Sequence, residues 1–150
     1  MLLSDILTLY ANSTPVKALA HLMEGETGRS LNVSGLTQSA VAMYFAAART
    51  LVPHQMLFIM RDADEAGYLY QDIVNILGEG GALLFPSSYR RAAKFGQRDA
   101  ASEIMRTEVL TALASSTARI VVTCAAAIAE LVVSRQRLDE RRITLQKGQR

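Results

Sequence analysis

An α/β fold, with an open, mainly parallel sheet flanked by helices, is what this sequence predicts, and three observations predict it. Short apolar runs such as "QMLFIM", "GALLF" and "ARIVVTC" alternate with stretches of helical periodicity. That order lays helices on both faces of a parallel sheet. Half of the 150 residues are apolar and a fifth are charged, as in a single globular domain with a real core. The chain shows no internal repeat and no low-complexity linker.

Taken in order, the elements follow from local chemistry. After a short N-terminal segment, Thr14 and Pro15 mark a helix start, with proline tolerated where the N–H has no partner. That helix runs to about Glu24 and ends at "GETG". Arg29 to Ser34 reads as a first strand, and Thr37 to about Thr50 as a helix. "QMLFIM" (Gln55 to Met60) is a second strand, apolar enough for burial on both faces. Asp62 is placed to cap the next helix, with Glu65 three residues on as in a capping box. Ala66, Leu69, Ile73, Ile76 and Leu77 form its apolar stripe, and Gly78 closes it. "GALLF" is a third strand, ended by Pro86, and Ser87 to Arg98 is a polar, basic loop. Asp99 caps a helix to about Ala114, with Ile104, Val109, Leu110 and Leu113 on or near its inner face. "ARIVVTC" is a fourth strand and "AAAIAELV" a short helix. The tail "RRITLQKGQ" has the composition of one more strand.

The stretch "LNVSGLTQSAVAMYFAAAR" has the frame of a phosphate-binding loop: strand, glycine turn, helix. On the pattern G-x-x-x-x-G-K-[ST], Gly35 takes the first glycine, and Ala40, Val41 and Ala42 fall on the second glycine, the lysine and the hydroxyl residue. A helix N-terminus remains, with Thr37 and Ser39 as possible donors. Val41 brings no cation to a phosphate, and Ala42 no ligand to magnesium. Losing one charge-assisted contact costs about 1.5–3 kcal/mol, more than tenfold in affinity. The pattern is a degenerate P-loop, predicted not to function; an ordinary strand-to-helix turn is the competing reading.

Other catalytic constellations are thin. His21 and His54 fit no metal-ligand spacing, and no metal site is expected. Asp62, Asp64 and Glu65 cluster after the second strand, where open α/β sheets bind ligands, yet capping accounts for Asp62 and Glu65. Asp72 reads as a solvated helix position. The fourth strand lacks a Walker-B aspartate, and no nucleophile elbow is present. The single Cys124, in an apolar run, reads as a buried thiol and suits a reducing cytoplasm. Apolar runs are too short to span a membrane, and no secretory signal is visible. Six basic residues against two acidic ones load the segment from Ser134 to Arg150. A second basic group, Arg90, Arg91, Lys94 and Arg98, is a possible contact patch for nucleic acid or an acidic partner, or a solvated face.

"VSGLTQSAVAMYFAAA", "RDADEAGYLYQDIVNILGEG", "LLFPSSYRRAAKFGQRDAASEIMRTEVLTALAS", "RIVVTCAAAIAELV" and "ITLQKGQR" together resemble the N-terminal region of bacterial transcription-repair coupling factors. That region is in turn similar to the first domain of the excision-repair protein UvrB. The resemblance covers nearly all 150 residues. It implies a UvrB-like, degenerate NTPase-type domain over residues 1–140, with 141–150 as the start of a following domain and the whole as an excised piece of a longer chain. It also implies a non-catalytic scaffold or regulator, with no cofactor of its own. The parent would be a cytoplasmic DNA translocase that removes stalled RNA polymerase and recruits excision repair. Its ATP and magnesium would sit in motor domains further along, and its partners would be RNA polymerase, UvrA and DNA. UvrB carries a tyrosine-rich hairpin after the segment matching "FPSSY", which clamps damaged DNA. Here Tyr89 and Phe95 are the only aromatics of the loop, so clamping is not expected. Two readings compete with this one: an independent α/β protein holding a small anionic ligand at the Gly35 turn, and a weak nucleic-acid binding module.

Overall fold

The computed structural model describes residues 2–25, 30–89, 99–114 and 119–140. Its α-helices are α1 (Leu3–Asn12), α2 (Thr14–Glu24), α3 (Ser39–Leu51), α4 (Ala63–Leu77), α5 (Ala100–Leu113), α6 (Ala125–Ile128) and α7 (Arg135–Glu140). Three strands, β1 (Met56–Met60), β2 (Leu83–Phe85) and β3 (Ile120–Cys124), form one sheet in the order β1-β3-β2, parallel throughout. The α/β architecture of the sequence reading is therefore present, as a small open sheet flanked by helices.

Side-chain parity divides the two faces. Phe58 stacks edge-on against Phe45 of α3, with ring centroids 5.2 Å apart, so Met56, Phe58 and Met60 face the α3/α4 layer. The opposite parity, Leu57, Ile59, Val121, Thr123, Leu83 and Phe85, faces α5, whose Arg106 guanidinium lies 4.1 Å from the centre of the Phe85 ring. α4 packs across all three strands with the central β3 beneath it. α3 lies alongside α4 towards β1, and α1 and α2 pack on α3 in turn. Ala42, Ala46, Ala47 and Ala48 of α3 are buried, and such small side chains let neighbouring helices approach closely. The core gathers Met56, Leu69, Ile73, Phe85, Val109, Ile120 and Val122, while Val16, Leu19 and Tyr44 form a second cluster under α1 and α2. Cys124 is buried and free, as its apolar setting suggested.

Three expectations are corrected. Residues 30–34, expected as the first strand, join no strand of the sheet (Arg29 lies outside the described residues). The segment offers only two alternating apolar side chains, Leu31 and Val33. Both line an open groove of about 710 Å³ with Leu9, Leu19 and Leu22 of α1 and α2, and both stay largely exposed. The N-terminal segment, given no structure in the sequence reading, is helix α1, its first turn closed by Asp5, which accepts from the N–H of Leu2 at 2.8 Å. β1 is not covered on both faces. Leu57 and Ile59 remain 59% and 57% exposed because α5 packs over β2 and does not reach β1. On α5, Ile104 points outward and Arg106 occupies the buried stripe with Val109. The added strand expected in the tail, and residues 141–150 as the start of a new domain, lie outside the described residues.

Candidate functional site

Open parallel sheets bind ligands beyond the C-terminal ends of their strands. Two regions of this molecule lie there.

The first is the head of α3. Gly35 adopts φ +84°, which an L side chain rarely takes, with nothing within 4 Å of where a Cβ would stand. Gln38, the residue before the helix, is also left-handed, at φ 49°, and its side chain makes no capping bond. The N–H groups of Ala40 and Val41 donate to the carbonyls of Thr37 and Gln38, both at 3.1 Å. Two of the amides a phosphate would need are thus spent inside the turn. Ala42, at the position of the magnesium hydroxyl, is fully buried in the core, 0% exposed, so it faces no solvent-filled site. Thr37 and Ser39 are exposed.

A cleft of about 570 Å³ opens between this turn and α4, lined by Gln38, Ser39, Val41, Met60, Glu65, Tyr68, Leu69 and Asp72. Its ionisable charges are two carboxylates, Glu65 and Asp72, with no cation in the lining. Arg61 stands nearby and is bound to Glu65 at 2.7 Å and to Asp62 at 3.4 Å. Asp62 does what its sequence position implied, accepting from the N–H groups of Asp64 (3.1 Å) and Glu65 (2.9 Å). The Glu65 N–H, and then the Arg61 guanidinium, hold its carboxyl below the ordinary aspartate value. An anion in this cleft would meet like charge and find no free cation.

The second region joins the ends of β2 and β3. Glu130, just beyond α6, accepts from the Ser87 hydroxyl at 2.5 Å and from the Ser88 N–H at 3.0 Å through its other oxygen. The Ser88 hydroxyl also donates to Glu130, and Arg106 of α5 pairs with it at 3.3 Å. Arg106 is 7% exposed, and its Nη1 donates to Pro86 O at 2.8 Å and Ala127 O at 3.3 Å. Its Nη2 is buried without a partner. Thr123 donates to Phe85 O at 2.8 Å. Burial pushes the Glu130 carboxyl up, but the bonds from Ser87 and Ser88 and the Arg106 charge outweigh it, leaving the group below its usual value. Three segments are tied by one carboxylate and one guanidinium, and the ends of the following loop are joined where Asp99 N–H donates to Ser88 O at 2.8 Å.

The basic patch expected at Arg90, Arg91, Lys94 and Arg98 lies outside the described residues; only its two pinned ends, at Ser88 and Asp99, are seen. His21 and His54 are exposed and belong to different elements. Sequence reading missed Arg106 and Glu130. A signal existed, since Arg106 falls on the same helical stripe as Val109 and Leu113, and a cation in an apolar stripe needs a buried partner.

No protein-family model, curated protein or solved structure matches this chain. Among the described residues, no helix is long and apolar enough to cross a membrane.

Proposed function

We propose that the chain is a non-catalytic α/β module of the transcription-repair coupling type, a UvrB-like domain whose phosphate loop has degenerated. It acts as scaffold and regulator within a DNA translocase that removes stalled RNA polymerase and recruits excision repair. The observation that carries this reading is the head of α3. Val41 and the buried Ala42 stand where a phosphate cation and a magnesium hydroxyl are required, and the adjoining cleft holds carboxylates. Phosphoryl transfer depends almost entirely on positioning and charge stabilisation, and neither is provided there. The resemblance supplies the rest. Its two most specific segments are put to structural use: "DADEAGYLYQDI" caps and forms α4, and "LLFPSS" forms β2 and the seryl end of the Glu130 clasp. The same cleft argues against the anionic-ligand reading.

Calorimetry with ATP and magnesium tests the first part: no heat of binding is expected, and a micromolar Kd overturns it. The regulatory part is tested in the longer protein. Removing residues 1–140 should leave motor ATPase intact while altering UvrA recruitment, and unchanged recruitment overturns the scaffold role. For the nucleic-acid reading, the basic loop offers about four phosphate contacts. Duplex association, followed by polarisation, should therefore vanish near physiological salt.

A further inference from the structure

The cleft between the head of α3 and α4 refuses an anion, but its lining is well suited to a cation with an apolar stem. Its floor is apolar, formed by Val41 of α3, Met60 at the end of β1 and Leu69 of α4. Around that floor stand Gln38, Ser39, Glu65, Tyr68 and Asp72. Glu65, Tyr68 and Asp72 are three and four residues apart on α4, so they share one face of the helix. Tyr68 is 76% exposed, a large amphipathic ring offered to solvent beside two carboxylates. Glu65 already holds Arg61 at 2.7 Å, whereas Asp72, one turn past Tyr68, has no such partner among the described residues. On the facing wall Gln38 makes no capping bond, and its side chain lines the cleft instead.

We propose that this cleft receives an arginine side chain from a protein partner. The guanidinium lies against the Tyr68 ring and pairs with Asp72, while its aliphatic stem crosses Val41, Met60 and Leu69. A guanidinium has five donors and no acceptor. The rim answers with acceptors: the Asp72 carboxylate, the Gln38 side-chain carbonyl and the Ser39 hydroxyl. Two carboxylates with no cation in the lining make the charge complementary as well. A lysine suits the site less, because a compact ammonium neither stacks on a ring nor spans two acceptors. A free guanidinium compound is not the source. One exposed ion pair and one cation–π contact are each weak, and a cleft of about 570 Å³ is larger than one side chain fills. Residues on either side of the arginine supply the remaining contact. Tyrosine and arginine are also the residue types that dominate binding at protein interfaces. The proposal holds whatever larger protein the chain serves, and the ATP calorimetry tests the degenerate-loop reading separately.

The probe is a capped peptide, acetyl-Leu-Arg-Leu-amide, titrated at low salt into the isotope-labelled 150-residue chain and followed by amide shifts in NMR. Shifts should saturate at Gln38, Ser39, Tyr68 and Asp72 in roughly the millimolar range, with the Val122 amide of the central strand unmoved. Citrulline in place of the arginine, an uncharged isostere, should abolish binding, and lysine should weaken it. Tyr68→Ala and Asp72→Asn should each weaken it by about fivefold. Tyr68 is exposed and the asparagine is isosteric, so the core survives both changes. Citrulline or lysine peptides that bind as tightly as the arginine peptide overturn the proposal. So does wild-type affinity in both variants, or the absence of saturable shifts at these amides. Acetyl-arginine amide binding as tightly as the tripeptide overturns the protein partner and assigns the cleft to a free guanidinium compound.

Discussion

The head of α3 and the Glu130 clasp lie at the same end of the sheet and have opposite economies of polar groups. Around α3 the cleft is open, but the Ala40 and Val41 amides are consumed in the turn, its charged side chains are the carboxylates Glu65 and Asp72, and its hydroxyl position is an alanine in the core. At the clasp every carboxylate oxygen is engaged, in a setting where the two partners' side chains are 8% and 12% exposed. Concave shape with no cation in its lining holds an anion poorly, and a dense polar cluster whose groups satisfy one another is architecture. What marks a ligand site is polar capacity left over after folding; among the described residues of the clasp, Arg106 Nη2 is left over, and it is buried.

The sharpest way to break this contrast is to remove one half of the clasp. Arg106→Ala leaves Glu130 buried without its cation, and should cost about 3–5 kcal/mol in urea unfolding. Replacing both partners, Arg106→Met with Glu130→Leu, should cost clearly less than the sum of the single changes. Strict additivity would show that the two do not act as a unit.

Acid provides a second test of the same pair. The folded Glu130 carboxyl lies below its unfolded value, so its contribution is complete above the ordinary glutamate range and is lost as pH falls through the folded value. Wild-type stability should therefore fall below about pH 4.3, the unperturbed glutamate value, and part of that slope should be missing in Glu130→Gln. Denaturation midpoints across pH 3 to 7, at roughly half-unit steps, would reveal it. Parallel profiles for the two proteins would contradict the assignment.

At α3 the changes should be smaller, and they probe the opposite claim. Ala42→Thr restores the hydroxyl of the loop pattern, but at a site 0% exposed it overfills the core and should cost about 1–3 kcal/mol without creating magnesium-dependent ATP binding. Thermal unfolding and calorimetry read both. The smallest effect belongs to the N-cap of α4. Asp62→Ala should cost about 1 kcal/mol, because the amides of Asp64 and Glu65 lose their acceptor, and it should leave the clasp untouched. A much larger loss would mean that Asp62 does more than cap.

Local chemistry in the sequence was enough for the helices that cap themselves. Asp62 with Gly78 bracketed α4 and Asp99 opened α5, because caps satisfy N–H and C=O groups through neighbours a few positions away, while Pro15 marked the start of α2 within a residue although no side chain caps it. The apolar runs at 56–60, 83–85 and 120–124 were legible from their composition, as was the lack of a cation and a hydroxyl at Val41 and Ala42. Tertiary structure alone decided which apolar runs pair. "SLNVS" and "MLFIM" both read as strands, but the first, with only Leu31 and Val33 as apolar side chains, lies beside α1 and α2 outside the sheet and stays exposed, and the short reach of α5 left one face of the second open. It also decided that Arg106 and Glu130 meet, a pairing 24 residues apart in sequence that no local spacing encodes. Short-range hydrogen bonding is written in neighbouring residues, whereas pairing across the fold depends on which surfaces remain uncovered once the helices have packed.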